Sequence, residues 1–169
     1  YYKPYVLKDC HYLIMDYLEG ETLQQMLKKR GKPFEEHQVL KWTQETCTGL
    51  KTLHKKGLMH RDINPSNIMV ESKTNKAFLI DLGLARVDLS VSELEEAKKT
   101  RVLPDGKTAG LGTEGYAAPE QYKGKPCQAS DIYALGMTLY QLLTHQDPQD
   151  AGDLLEMREH HPKDFNQNL

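Results

Sequence analysis

The hydrophobic period changes several times along the chain, and each change marks an element. Residues 12–18, YLIMDYL, form an apolar run of strand length that ends at the turn-like Glu19-Gly20. Thr22 is placed to open a short helix through LQQMLKKR, where Leu23, Met26 and Leu27 share one face and a basic end precedes Gly31. Pro33 with Glu35 and Glu36 suits the start of a second helix. Val39, Trp42, Thr46, Leu50 and Leu53 then recur at threes and fours until Gly57, which predicts a long amphipathic helix. IMV at 68–70 and AFLI at 77–80 flank the polar SKTNK and read as a hairpin whose second strand delivers Asp81 at its end. Residues 87–110, rich in charge and closed by PDGKTAG, predict a long irregular loop with room for one helical turn around SELEEAKK. SDIYALGMTLYQLLT is apolar around most of its circumference, as expected of a buried helix, and GDLLEMREHH is a candidate for a last short one.

Composition narrows the class. A chain of 169 residues with 38% hydrophobic content closes one ordinary core, so one domain or a piece of one is expected. Twenty-two basic against 24 acidic residues leave a net charge of -2, which supplies no long-range field favouring nucleic acid or an anionic membrane. Cys10, Cys47 and Cys127 are odd in number and far apart, so neither a disulfide framework nor a metal knuckle follows, and a reducing, intracellular setting fits best. No segment approaches the apolar length needed to cross a bilayer, and YYKPYVLKDC lacks the features of a signal peptide. A soluble, cytoplasmic segment without membrane contact is expected, although a flank could carry an anchor; the oligomeric state is not legible.

The chemistry concentrates at residues 60–70, HRDINPSNIMV, where an aspartate is followed five places later by an asparagine and then by an apolar run. A surface turn needs no such set. This loop lies between the long helix and the hairpin that ends in Asp81, so Asp62, Asn67 and Asp81 can converge from two adjacent loops. Singly, an Asp or Asn in a loop is usually a turn or capping residue, and it is the joint occurrence that carries weight. Here the chain resembles the eukaryotic-type protein kinases, whose catalytic loop follows H-R-D-L-x-x-x-N and whose metal-binding loop reads Asp-Phe-Gly. The resemblance extends to GTEGYAAPEQY at 112–122 and to the helix containing Asp131. The wording of EGETL, GTEGYAAPEQY and SDIYALGMTLYQLLT is most similar to the bacterial branch of the Ser/Thr kinases. It implies a protein kinase-like α+β fold: a mainly α-helical C-terminal lobe with a small β-hairpin and a remnant strand of the N-terminal lobe. Residues 1–18 would end the small lobe's sheet and form the hinge, and residues 19–169 would form a large lobe cut short at its end.

The resemblance also implies ATP and Mg2+ as cofactors and a protein Ser or Thr hydroxyl as acceptor. Phosphoryl transfer needs oxygen ligands for the metal and an oriented hydroxyl. By its match Asp81 would bind Mg2+ between phosphate oxygens, and the amide oxygen of Asn67 would complete a second metal position. Asp62 would accept a hydrogen bond from the substrate hydroxyl and take its proton late, help typically worth about 10²- to 10⁴-fold. Thr113 would bond to Asp62 and shape the substrate groove. For the nucleotide base, Met15 resembles the back of the adenine pocket and Asp16 and Leu18 the hinge backbone. Met69 would form the pocket floor with Leu23 nearby, and Thr22 could reach the ribose; plain core is the competing reading for the apolar members of this set. His60 is expected as a core histidine packed with Leu82, and Asp131 as an acceptor of backbone N–H groups near His60 and Arg61. Arg61 is either a solvated charge or the receiver of a phosphorylated residue, for which Thr108 is the nearest candidate. Glu120 is expected to be buried, its usual arginine partner coming from late in the lobe.

Departures from the pattern matter equally. Where Ser/Thr kinases commonly carry a lysine two residues past the catalytic aspartate, this chain has Asn64, which can donate a hydrogen bond but supplies no positive charge. Leu82 replaces the usual phenylalanine. No glycine-rich G-x-G-x-x-G loop and no Val-Ala-Ile-Lys strand occurs in the 169 residues, so this chain alone is expected to be inactive and to represent a fragment of a kinase. The alternative is a pseudokinase or kinase-like binding scaffold; a metal-dependent hydrolase using the same acids is a third reading that lacks a clustered ligand set.

Overall fold

Thr22 sits where a strand becomes a helix, and its side chain makes the change possible. The computed structural model describes residues 3–7, 10–14, 16–81, 86–87 and 112–150, of which 3–7, 10–14 and 86–87 as backbone only. Strands β1 (Lys3–Leu7) and β2 (Cys10–Ile14) form an antiparallel pair, with Tyr5 opposite Tyr12. The strand predicted over 12–18 therefore starts earlier and stops at Ile14. Residues 16–19 are irregular, and Tyr17 faces solvent.

Strand β3 (Gly20–Thr22) runs directly into helix α1 (Leu23–Arg30). The Thr22 hydroxyl accepts from the Gln25 amide at 3.2 Å and the Gln25 side chain accepts from the Thr22 amide at 2.9 Å, a reciprocal cap on the first turn. Gly31, at φ 65°, ends the helix, as its position after Lys28, Lys29 and Arg30 predicts. Helix α2 (Glu36–His54) buries Val39, Trp42, Thr46 and Leu50 along one stripe, and its polar face stays wet. Trp42 packs edge-on against Phe34 at 5.1 Å between ring centroids, and Thr46 satisfies its buried hydroxyl on the Trp42 carbonyl.

Strand β4 (Leu58–Met59) follows Gly57 and pairs antiparallel with β7 (Arg86–Val87), so Val87 is in a short strand rather than in the predicted loop. Between them lie β5 (Ile68–Glu71) and β6 (Ala77–Leu79), the predicted hairpin, which with β3 makes a three-stranded antiparallel sheet ordered β3-β5-β6. Gly20 is required for this pairing, because a Cβ there would lie 2.2 Å from the Val70 carbonyl oxygen. Helices α3 (Pro119–Tyr122) and α4 (Gln128–Thr144) complete the described chain. The helical turn expected near SELEEAKK and the helix expected over GDLLEMREHH lie outside the described residues.

One core holds these elements. Leu23 and Leu27 of α1, Trp42 and Leu50 of α2, Ile68 and Val70 of β5, and Ala134, Leu135 and Leu142 of α4 cluster together, each such large apolar side chain contributing about 1.5–3 kcal/mol by leaving water. The Phe34 amide donates to the Leu142 carbonyl at 2.9 Å, tying the approach to α2 onto the end of α4. Helix α4 is less enclosed than its composition predicts, since Ile132 and Gly136 face solvent while the polar Ser130, Asp131, Thr138 and Gln141 are buried.

Candidate active site

The loop that leaves β4 is held by a carboxylate from a distant helix. Asp131, in the first turn of α4, is 1% exposed and accepts the backbone N–H of His60 at 3.0 Å, that of Arg61 at 2.8 Å, and the His54 ring Nε2 at 2.7 Å. With its N–H fixed, Arg61 adopts φ 69°, a left-handed conformation that costs a non-glycine residue about 1–3 kcal/mol and persists only where surroundings impose it. Its carbonyl accepts from Gln121 Nε2 at 3.0 Å, so both peptides flanking Arg61 are clamped from outside the loop. Ring Nε2 of the fully buried His60 lies 3.1 Å from the Ile80 carbonyl oxygen. A carbonyl only accepts, so this nitrogen is the donor and His60 is a core histidine held by a backbone group.

The reversal at Arg61 brings Asp62 to the centre of a convergent set. Its Oδ1 accepts from the Thr113 amide at 3.0 Å, the Thr113 hydroxyl at 2.7 Å and Asn64 Nδ2 at 3.2 Å. Its Oδ2 accepts from Asn67 Nδ2 at 2.8 Å, and the same amide group donates to the Asp62 carbonyl. Asn64 Nδ2 also reaches the Thr113 hydroxyl at 3.0 Å, while Asn64 Oδ1 accepts the Ser66 amide at 2.8 Å. That last contact caps the single 3-10 turn Pro65–Asn67, which Pro65 starts with its fixed φ. The proline between the acid and the amide is thus the device that folds Asn67 back onto Asp62.

The Ile80 amide donates to the Asn67 carbonyl at 3.0 Å, which sets Asp81, at φ 58° and exposed, beside the Asn67 loop. Because Asn67 spends its N–H groups on Asp62, its amide oxygen is the end left to face a ligand. An amide oxygen and a carboxylate oxygen are hard donors that suit Mg2+, whose remaining positions phosphate oxygens and water would fill. The donor set fits that ion. Among the described residues no group of three or more His, Cys, Asp or Glu side chains is gathered to hold a metal by itself.

Thr113 is thereby brought to Asp62 together with Asn64 and Asn67. Thr22 and Met69 face each other across β3 and β5, the Thr22 hydroxyl being engaged as the α1 cap, and Leu23 turns into the core. Asp16 is exposed and Leu18 half-buried on the approach to β3. Met15, Leu82 and Thr108 lie outside the described residues. Arg61 is buried rather than solvated. Glu120 is not a bare buried charge: it is half-buried and accepts the Ser130 hydroxyl at 2.6 Å, which is the first cause holding its carboxyl below the usual range. Two contributors escape a reading of the sequence. His54 looks like a basic residue at a helix end, and Gln121 looks like an exposed first-turn residue after Pro119-Glu120, yet Gln121 is 2% exposed.

This geometry agrees with likeness to known proteins. The chain matches the family model for the protein kinase domain over residues 1–167. It is 34% identical over 138 residues to the serine/threonine-protein kinase PknB of Mycobacterium leprae, covering 81% of this chain and 20% of that protein. It is 36% identical over 141 residues to serine/threonine-protein kinase C of a Synechocystis species, covering 82% of this chain and 24% of that protein. The chain thus spans about a fifth to a quarter of the length of the curated relatives it matches. A loop pinned by Asp131, an Asp62 ringed by amides and a hydroxyl, and a sequence match running almost end to end point the same way: the chain belongs to the protein kinase domain family.

Proposed function

We propose that the chain carries the catalytic half of a Ser/Thr protein kinase that transfers the terminal phosphoryl group of ATP to a protein hydroxyl. Residues 1–18 are read as the end of the small lobe's sheet and the hinge, and residues 19–169 as the large lobe. The observation that carries the proposal is the convergence of Asn64, Asn67 and Thr113 on the Asp62 carboxylate, with Asp81 beside Asn67.

Each side chain has a task that follows from its contacts. Oδ1 of Asp62 already accepts three hydrogen bonds whereas Oδ2 accepts one, so Oδ2 has the free lone-pair capacity to orient an incoming hydroxyl and later take its proton. Thr113 and Asn64 fix the carboxylate plane. Asn67 locks the loop through its N–H groups and offers its oxygen to a metal, and Asp81 offers its carboxylate. Bound Mg2+ would neutralise charge on the phosphate oxygens and hold them in line for displacement. Met15, Asp16, Leu18, Thr22 and Met69 are assigned to the nucleotide base and ribose by family match. The acceptor is a Ser or Thr of a protein. The cytoplasm, where ATP is available, is the proposed setting; no helix among the described residues is long and apolar enough to cross a membrane.

The test is transfer from labelled ATP with Mg2+ to a Ser/Thr peptide by the full-length protein, beside Asp62→Asn. The variant should lose about 10²- to 10⁴-fold in kcat with little change in KM for ATP. Equal rates from both proteins would remove Asp62 from the reaction.

A further inference from the structure

We propose that Gln121 is a positioning residue for phosphoryl transfer, holding the Arg61–Asp62 peptide in the one orientation that presents the Asp62 carboxylate. The inference rests on the kinase reading and goes beyond the residues assigned to it. Gln121 Nε2 donates to the Arg61 carbonyl at 3.0 Å, and Gln121 Oε1 accepts from the Ala118 amide at 3.1 Å. These partners settle the orientation of the carboxamide: an amide N–H only donates and a carbonyl only accepts, so a reversed side chain would face donor to donor and acceptor to acceptor.

The bond matters because of what it holds. Arg61 is in the left-handed region, and the two peptides on either side of it are gripped by different elements, the first by Asp131 and the second by Gln121. The Arg61 carbonyl belongs to the peptide that leads into Asp62. Rotation of that peptide moves the Asp62 backbone, and with it the carboxylate. The chain keeps room for the contact at a second place. Gly112 has φ 82°, and a Cβ there would lie 2.8 Å from the Arg61 carbonyl oxygen and 3.1 Å from Gln121 Nε2, so glycine is required for the amide to reach. Gly112 is adjacent to Thr113, which bonds Asp62 directly. Gln121 therefore couples segment 112–122 to Asp62 by a route that does not pass through Thr113.

The experiment uses the full-length protein with Mg-ATP and a Ser/Thr peptide, and compares Gln121→Met, Gln121→Glu, Gly112→Ala and the Gly112→Ala/Gln121→Met pair with wild type and Asp62→Asn. Wild-type rates from Asp62→Asn would overturn the kinase reading itself. Where Asp62→Asn is crippled, Gln121→Met should lower kcat per folded molecule by about 10- to 100-fold, the scale of a misplaced reacting group, with KM for ATP within about twofold. Gln121→Glu keeps the acceptor for Ala118 but as a carboxylate cannot donate to Arg61, and should fall as far. Gly112→Ala should also slow transfer, and the double variant should be no slower than the worse single one, because both remove the same bond. Wild-type kcat in Gln121→Glu or Gln121→Met, losses that multiply in the pair, or a loss of total activity explained by a smaller folded fraction with kcat per folded molecule unchanged would each overturn the positioning role while leaving Asp62 in place.

Discussion

Replacing Asp131 with asparagine changes one buried oxygen into an NH2 group, and the surrounding contacts fix the consequence. Oδ1 serves the Arg61 N–H, while Oδ2 serves the His60 N–H and the His54 ring. The amide oxygen can take only one of these places. If it faces His60 and His54, its NH2 group meets the Arg61 N–H, and the reverse orientation opposes two donors instead of one. The milder arrangement leaves one buried backbone donor unsatisfied, about 1–3 kcal/mol, and turns the two surviving bonds from charged to neutral acceptors, about 1 kcal/mol each. Asp131→Asn should therefore destabilise the domain by about 3–5 kcal/mol, the range seen when one partner of a buried charged contact is removed. Urea unfolding measures this as a lower midpoint at unchanged slope. Release of the Arg61 N–H also frees a left-handed residue to relax, so kcat should fall further than ATP affinity. A variant within about 1 kcal/mol of wild type would refute this energy accounting, since the contacts summed above could not then be worth their usual values.

Two further outcomes follow from single side chains. Burial first, and the charge of Asp147 second, push the Tyr116 phenol well above its ordinary value. A raised folded pKa contributes stability that is complete below the unfolded value of about 10 and is lost as pH rises beyond it. Tyr116→Phe also strands the Gln141 oxygen that the phenol meets at 2.6 Å, which should cost about 1–3 kcal/mol at neutral pH. The urea midpoints of wild type and variant should converge on raising the pH above about 10, and a constant gap would contradict the assignment. Asn64→Lys should raise kcat by supplying a cation near the transferred phosphate. It should also lower stability by about 0.5–2 kcal/mol, because the cap on the Ser66 amide is lost. Unchanged turnover with tighter folding would contradict both halves.

Local rules carried well where local forces decide. Thr22 and Gly31 bracket α1 because a hydroxyl cap and a left-handed residue act within one turn, and both are visible in sequence. The stripe Val39, Trp42, Thr46 and Leu50 and the hairpin around SKTNK are legible for the same reason. The end of β2 was misplaced because YLIMDYL is apolar without alternating, and periodicity says little about where such a run stops. The approach of Asn67 to Asp62, and of the end of β6 to the Asn67 loop, was legible through spacing and order. Gln121 and His54 were not, since each acts on a backbone group or a carboxylate far along the chain: 60 residues separate Gln121 from Arg61 and 77 separate His54 from Asp131. No local pattern records such a partner.

That separation bears on how the site comes into being. The α2 stripe and the β5–β6 hairpin close over short stretches, whereas Thr113 bonds Asp62 across 51 residues and Asp131 bonds Arg61 across 70. Ordering such long loops carries an entropic cost that grows slowly with length and is met by burying the elements at their ends. Here those elements are α4, whose Leu135 and Leu142 enter the core, and α3, whose Gln121 is buried. The left-handed turn at Arg61 has no local reason to persist before α4 docks. The set of contacts around Asp62 is therefore complete only in a chain that has already assembled its last described helix, and on the proposed reading the packing of Leu142 and the Phe34–Leu142 backbone bond support that site as the loop residues do.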